Sequence, residues 1–375
     1  MPDGTPPLPA PEAPGLADRL RGTLHRLAAS RGFQRWAARV PGLRGRTAAE
    51  GAALFDVMAG FVNAQVLSAL VEIEVFDHLQ AGPQPVARLA ALTGVPESRM
   101  AVLAQAGAAL GLLRRGRDGR FGLSLRGAAF RGVPGLAAMV RHHAVLYRDL
   151  ADPAAFFRGA TDPELARFWP YVFGAAGASD PALAARYSRL MTESQVLVAE
   201  DTLRLADLRG VTRLLDVGGG TGAFLSHVAR AHPQIARVLF DLPAVVAAAA
   251  PAPGLTVAPG SFRDDPLPTG ADAISLVRVL YDHADSTVAL LLAKAFAALP
   301  PGGRILVSEP MSGGARPDRA TDAYFAVYTL AMRTGRTRSA AEIAAHLSTA
   351  GFTAIRHRPG PRPYVTSLVE ARRPE

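Results

Sequence analysis

The sequence predicts an α/β protein in which a doubly wound parallel sheet follows a helical domain closed by a β-hairpin. Three observations predict it. From Val211 onward, short apolar runs (RLLDVGG, RVLFDLP, AISLVRVL, GRILVSEPM) alternate with helical stretches (FLSHVARAHP, STVALLLAKAFAALP), the rhythm of βαβ units with helices on both sheet faces. The run Leu214–Val217 passes through Gly218, Gly219 and Gly220 straight into a helix. Residues 47–131 place apolar side chains at helical spacing and end in LRRGRDGRFGLS, an Arg/Gly turn between two short runs.

In order, residues 1–46 are expected to be a disordered leader and an Arg-rich arm. The leader, MPDGTPPLPAPEAPG, is Pro-rich and carries Asp3 and Glu12, so it does not read as a secretory signal. The arm holds Arg19, Arg21, Arg26, Arg31, Arg35, Arg39, Arg44 and Arg46 with no acid among them, and Leu20, Leu24, Leu27, Phe33, Trp36 and Leu43 interleaved. Peripheral contact with an anionic membrane surface, a nucleic-acid arm and a plain solvated helix all fit this pattern. Residues 47–131 give three helices and the hairpin, a winged-helix-like domain. Residues 132–210 form a helical linker, with Pro181 at a first turn and Gly210 just past an end. Residues 211–375 carry the sheet, closing with two strands in FTAIRHRPGPRPYVTSLVEAR.

The bulk numbers agree with a two-domain globular chain: 375 residues, 49% hydrophobic and 19% charged. The chain has no cysteine, which removes disulfides, thiolate metal sites and thiol nucleophiles together; no metal is expected. No uninterrupted apolar run of about 18–20 residues stands out, so no spanning helix is expected and a cytoplasmic protein is the default. The net charge of +9 would help a winged-helix regulator bind DNA. The helix PESRMAVLAQAGAALGLL offers only Arg99 as a basic reader, however, and no nucleic-acid partner is expected.

The chemistry concentrates in Asp216–Gly222. Glycines there let the backbone turn tightly and a ligand lie against it. The spacing is neither that of a dinucleotide fingerprint nor that of a P-loop. Asp216 would repel a phosphate and suit a cation. Asp241 ends the next strand, about 20 residues beyond the glycines, the offset at which a carboxylate reaches ribose hydroxyls. A ligand with a ribose, a positive charge and no phosphate is indicated, and S-adenosylmethionine has all three.

The segments DVGGGTG, FDLP, GSFRDDPLP, VRVLYDHAD, LPPGGRILVSEPM and RSAAEIAAHLSTAGF resemble the motif series of the plant-type, acetylserotonin-like O-methyltransferase family over roughly residues 50–375. The resemblance implies a Rossmann-like class I methyltransferase sheet, an N-terminal winged-helix-like dimerisation domain and a homodimer. It assigns Gly218 and Gly220 to backbone contacts with S-adenosylmethionine, with Asp216, Gly219, Leu242 and Arg278 in the same binding set. Asp241 would hold the ribose, and Ser261 and Phe262 would flank the adenine. The family usually has Asp where this chain has Ser261, which makes that contact neutral and weaker.

At the family's general-base histidine stands Tyr281, with His283 two residues later. A histidine near pKa about 6.5 accepts a proton at neutral pH, whereas a tyrosine near about 10 does not. Either His283 takes the role, or Tyr281 only orients the hydroxyl, or no strong base is needed. The carboxylate that orients the base maps to Glu309; its second partner falls near Thr337, which cannot serve.

Within the family, FDVMAGFVNAQVLSALVEI, SRLMTESQVLVAEDTL, VRVLYDHAD and TDAYFAVYTLAMRTGRTRSAAE resemble the purple-bacterial carotenoid branch. This implies O-methylation of the tertiary hydroxyl of a small apolar substrate, an acyclic carotenoid, in photosynthetic pigment synthesis. Such an alcohol is far less acidic than a phenol, so catalysis would rest on placement, with proton loss late. Pocket candidates are Phe168, Trp169, Met191, Tyr324 and Tyr328, with Phe156, Phe157, Tyr171, Phe173, Phe325 and Met332 as further apolar lining. Methylation of a phenol or polyketide, C-methylation of a tetrapyrrole, and a non-catalytic family member are the alternatives.

Overall fold

The structure, a computed structural model, describes residues 16–168 and 194–375. The 1–15 leader, Trp169, Tyr171, Phe173, Pro181 and Met191 therefore lie outside the described residues, and of Phe168 only the backbone is described. The chain divides into two units, the first ending at Ala69 and the second beginning at Leu70.

In the first unit the Arg-rich arm is helical: α1 (Leu16–Ala29), α2 (Arg31–Ala37) and then α3 (Arg44–Glu72), which runs through the expected boundary at residue 47. Ser30 starts α2 by accepting a hydrogen bond from the Phe33 amide at 3.2 Å. On α1, Leu20, Leu24 and Leu27 are exposed and fall at i, i+4 and i+7, one face of a helix. On α3, Leu54, Phe55, Val57, Met58 and Phe61 are exposed. By length and composition α3 could cross a membrane, against the expectation of no such helix. Asp56, Asn63, Gln65 and Ser68 interrupt its Val, Leu and Phe residues, which breaks up any visible run.

The second unit opens with α4 (Val75–His78), α5 (Val86–Thr93) and α6 (Glu97–Ala109). The hairpin follows, with β1 (Leu113–Arg115) antiparallel to β2 (Phe121–Leu123). Leu70, Val75, Phe76, Leu89, Met100, Leu113 and Phe121 are its buried apolar residues. Helices α7 (Leu125–Gly132), α8 (Leu136–Asp149), α9 (Pro153–Phe157) and α10 (Glu164–Phe168) come next, and a helical segment over 194–205, here α11, leads into the sheet.

The sheet has seven strands: β3 (Arg213–Val217), β4 (Ala236–Asp241), β5 (Leu255–Pro259), β6 (Ala273–Val277), β7 (Arg304–Glu309), β8 (Thr353–Arg358) and β9 (Ser367–Arg372). Their spatial order is β5-β4-β3-β6-β7-β9-β8. The first five are parallel, and the late strand β9 inserts antiparallel beside β7. Leu215, Val217, Val238, Phe240, Leu276 and Val307 build one apolar face with α14 (Asp285–Ala298) and α16 (Ala340–Thr349). Leu214, Leu239, Ala273 and Leu306 build the other with α11 and α12 (Ala223–Ala231), and the short α13 (Pro243–Val246) follows β4. The order turns around between β3 and β6, so the carboxyl ends of β3, β4, β6 and β7 open onto one crevice, the usual place for a ligand in such sheets.

Candidate active site

The loop after β3 is shaped by contacts that leave no room for side chains. Gly218 has φ +71° and donates its amide to the Phe240 carbonyl at 2.8 Å; a Cβ there would strike Val279. A Cβ on Gly219 would strike the Asp216 carboxylate and Leu239. Gly220 also has positive φ, and its amide donates to Asp241 Oδ2 at 2.8 Å, while the Leu242 amide donates to Oδ1 at 2.7 Å. The half-buried Asp241 is thus tied to the loop through the backbone, and burial pushes its carboxyl up to about 6.

Sheet register brings Ser275 of β6 beside Asp216, whose Oδ1 accepts from the serine hydroxyl at 2.6 Å. Its Oδ2 is buried with no partner, and burial followed by the Asp241 charge raises the acid to about 7. A buried, unpaired carboxylate oxygen beside a second carboxylate is costly by itself and would be relieved by a cationic ligand. The donor set therefore fits S-adenosylmethionine.

The segment after β5 forms the next wall. The Ser261 hydroxyl donates to Asp264 at 2.9 Å and accepts from the Arg263 amide at 3.2 Å. A hydroxyl has a single proton to give and the Ser261 amide already donates to Asp265 Oδ2 at 2.8 Å, so Ser261 has only a lone pair left to offer a ligand. Lys294, the chain's only lysine, pins the turn by donating to the carbonyls of Phe262, Arg263 and Asp265 at 2.7–2.9 Å. Nothing in the sequence distinguished it from a solvated helix lysine.

The third wall is the 3₁₀ turn Leu280–Asp282 after β6. Arg278 enters it at φ +58°. Its Nε and Nη2 donate to Tyr281 Oη at 3.2 and 3.1 Å, and its Nη1 to Ser194 Oγ at 3.0 Å. Tyr281 is buried and its phenol is raised further by burial, so it keeps its proton.

His283 corrects a second expectation. Its Nδ1 accepts from Arg263 Nη2 at 3.2 Å, and its ring meets Phe262 edge-on at 5.2 Å. A guanidinium only donates, so Nδ1 supplies the lone pair and the neutral ring carries its proton on Nε2. No lone pair is left to act as a base. Burial, then the charges of Arg263 and Arg338, lowers the imidazole to about 3. His283 therefore belongs to the wall with Phe262.

Glu309, at the end of β7, is fully buried. Its Oε2 accepts from the Tyr281 amide at 3.2 Å, its Oε1 has no partner, and burial raises it to about 7. It holds the 3₁₀ turn by the backbone rather than orienting an imidazole. Arg338, absent from the sequence-based set, is also fully buried and donates to the carbonyls of Leu280 and His283, both at 2.8 Å.

Aromatic residues continue the wall. Tyr281 meets Phe325 at 6.5 Å and Phe325 meets Tyr324 at 4.9 Å, both edge-on. Tyr324 and Tyr328 are neighbours as expected, although Tyr324 lies in a π-helical turn (Arg319–Phe325) that runs into α15 (Ala326–Ala331). Their hydroxyls bind His143 Nε2 at 2.6 Å and His142 Nε2 at 2.7 Å. Phe156 and Met332 are core residues with Leu146 and Leu165, and Phe157 is exposed.

A sheet of this order, with a glycine loop between an unpaired carboxylate and a ribose-type carboxylate, defines a class I methyltransferase. The O-methyltransferase domain model matches residues 147–353, and the O-methyltransferase dimerisation domain model matches residues 55–130. The chain is 64% identical to demethylspheroidene O-methyltransferase of Cereibacter sphaeroides over 93% of this chain and 94% of that protein. It is 55% identical to the protein of the same name from Rhodobacter capsulatus, over 100% and 96%. Human N-acetylserotonin methyltransferase, solved in complex with SAM, superposes with a TM-score of 0.76 at 26% identity, over 87% of this chain and 98% of that one. The chain belongs to the O-methyltransferase family and carries that family's dimerisation domain.

Proposed function

We propose that this chain transfers a methyl group from S-adenosylmethionine to the tertiary hydroxyl of an acyclic carotenoid of the demethylspheroidene type. The observation that carries the reading is its identity to two proteins of that name across almost the whole chain. The site agrees with it. A phenol-methylating site needs a free base at position 281, and here a protonated tyrosine locked by Arg278 stands there.

When bound, S-adenosylmethionine supplies an electrophilic methyl group on a sulfonium. Gly218 and Gly220 would admit it to the backbone, Asp216 and Asp241 would match its charge and ribose, and Phe262 with His283 would cover the adenine. Tyr281, Phe325, Tyr324 and Tyr328 would line an apolar acceptor pocket that excludes water. The test is the product mass after incubation with S-adenosylmethionine and demethylspheroidene: one added methyl group with matching S-adenosylhomocysteine is expected. Methylation of a phenol in its place, with no carotenoid product, would overturn the reading.

The exposed apolar residues of α3 support a second copy of this chain as their partner, since a dimerisation domain begins at residue 55. The arm supports a cytoplasmic enzyme resting on an anionic membrane surface, where a carotenoid dissolves. Replacing Arg19, Arg26, Arg35 and Arg39 with glutamine is expected to weaken binding to phosphatidylserine vesicles by about fivefold per arginine. Unchanged sedimentation with those vesicles would remove the membrane role.

A further inference from the structure

The positive charge of this chain is not spread evenly. Between Glu97 and Asp149 the single acidic residue is Asp118, against nine arginines, a net +8 in a chain whose total is +9. The arm adds eight more arginines, so the rest of the protein is net acidic. A general preference for arginine would not produce that distribution. Five of the nine, Arg114, Arg115, Arg117, Arg120 and Arg126, lie in the β1–β2 hairpin and at the start of α7, and all five are exposed.

Their partners inside the protein are few. Asp118 is used in the turn: its Oδ1 accepts from the Arg120 amide at 3.2 Å, and its Oδ2 lies 3.7 Å from the Arg120 guanidinium. Arg115 donates to Gln105 at 3.3 Å, and Arg126 to the Leu110 carbonyl at 3.0 Å. Among the described residues, Arg114 and Arg117 have neither a hydrogen bond nor an ion pair. Arg114 lines two depressions, one together with Arg117 and Arg120, the other together with Arg115, Leu125 and Arg126. The arginines therefore share one continuous surface.

A projecting leucine lies within it. Leu125 is 93% exposed, although the backbone around it is tightly held. Ser124 Oγ shares its proton between the carbonyls of Gly111 at 2.6 Å and Leu112 at 2.9 Å, and accepts from the Gly127 amide at 2.9 Å. A Cβ on Gly127 would strike the Leu112 carbonyl, so α7 starts pressed against the base of the hairpin. A large apolar side chain fixed in water beside unpaired guanidiniums calls for a partner that is both anionic and apolar. A lipid surface offers the two together, with acidic headgroups outside and acyl chains just beneath.

Other partners match only part of the patch. A two-fold contact with a second copy would set it against itself, arginine against arginine. Duplex DNA would use the arginines but leave Leu125 in water, and the neighbouring α6 carries Arg99 as its one basic residue.

We propose that the hairpin face is itself a membrane-docking surface, on which Arg114 and Arg117 bind anionic headgroups and Leu125 enters the acyl layer. This deepens the membrane reading given above for the arm. It places a contact on the unit that carries the methyltransferase sheet, which would then draw its apolar acceptor from the lipid that holds it.

The test uses the full chain and vesicles of phosphatidylcholine with or without phosphatidylserine. The chain has no cysteine, so Leu125→Cys takes a single environment-sensitive fluorophore. Its emission is expected to shift to the blue on phosphatidylserine vesicles. The same label at Leu290→Cys, exposed on α14, is expected not to shift. Arg114→Gln combined with Arg117→Gln is expected to weaken sedimentation with those vesicles about 25-fold, at about fivefold per arginine. Neither arginine has an internal partner to lose, so the fold is retained. An unshifted Leu125 label on vesicles that the chain does bind overturns the proposal and leaves the arm as the membrane contact. A change under about threefold from the paired substitutions does the same. If the pair weakens binding to duplex DNA or to polyglutamate but not to vesicles, the patch belongs to a nucleic acid or an acidic protein and the proposal falls. An unaltered chain that binds no phosphatidylserine vesicles overturns this proposal and the arm's membrane role together, while the methyltransferase reading stands.

Discussion

Replacing Asp241 with alanine is expected to weaken S-adenosylmethionine binding by at least about a hundredfold, the largest effect of any single change at the cofactor loop. Two backbone amides, of Gly220 and Leu242, donate to its two oxygens at 2.8 and 2.7 Å, and each hydrogen bond to a charged group contributes about 1.5–3 kcal/mol. Removing the carboxylate releases the loop that must lie against the ligand and deletes the group proposed to hold the ribose. Calorimetric titration measures the loss; a change under about threefold would show that the loop is shaped by its glycines alone. The same titration carries a pH signature. Burial raises Asp241 to about 6 in the free protein, and a cation favours the ionised form, so binding releases a proton and tightens as pH rises through about 6. In the alanine variant that component of the pH dependence is expected to vanish.

Arg338→Leu is expected to destabilise the fold by about 2–4 kcal/mol, the cost of taking a charged donor away from buried backbone acceptors. The guanidinium is fully buried and meets four acceptors at once: the Leu280, His283 and Arg336 carbonyls, and the half-exposed Asp285 through Nε at 2.8 Å and Nη2 at 2.6 Å. Arg336, then Arg338, holds the Asp285 carboxyl down at about 2. With leucine at 338, two carbonyls of the turn that carries Tyr281, Asp282 and His283 lose their donor. Lysine is expected to recover little, since one ammonium cannot reproduce the planar fork. Urea unfolding checks this, and a loss below about 1 kcal/mol would mean that Glu309 alone secures the turn.

That turn shows where reading the sequence stopped. VRVLYDHAD marks a strand end and a functional turn, and the choice between Tyr281 and His283 as proton acceptor was posed from side-chain chemistry. Neither was resolvable there, because the deciding partners, Arg263 for His283 and Arg278 for Tyr281, act through geometry.

The local grammar was legible. The strand–glycine–helix passage at 214–222 and the hairpin turn at 115–121 each depend on residues a few positions apart, so their propensities and spacings are written in the chain itself. Asp216 and Asp241 were readable because parallel-strand topology fixes where the carboxyl ends of successive strands must lie. What tertiary structure alone decided is the state of each side chain. The antiparallel insertion of β9, the three carbonyls gathered by Lys294 and the 53 positions between Asp285 and Arg338 bring together residues with no local relation. Burial then sets their charge and their free lone pairs, and burial belongs to the packed fold, not to any stretch of sequence.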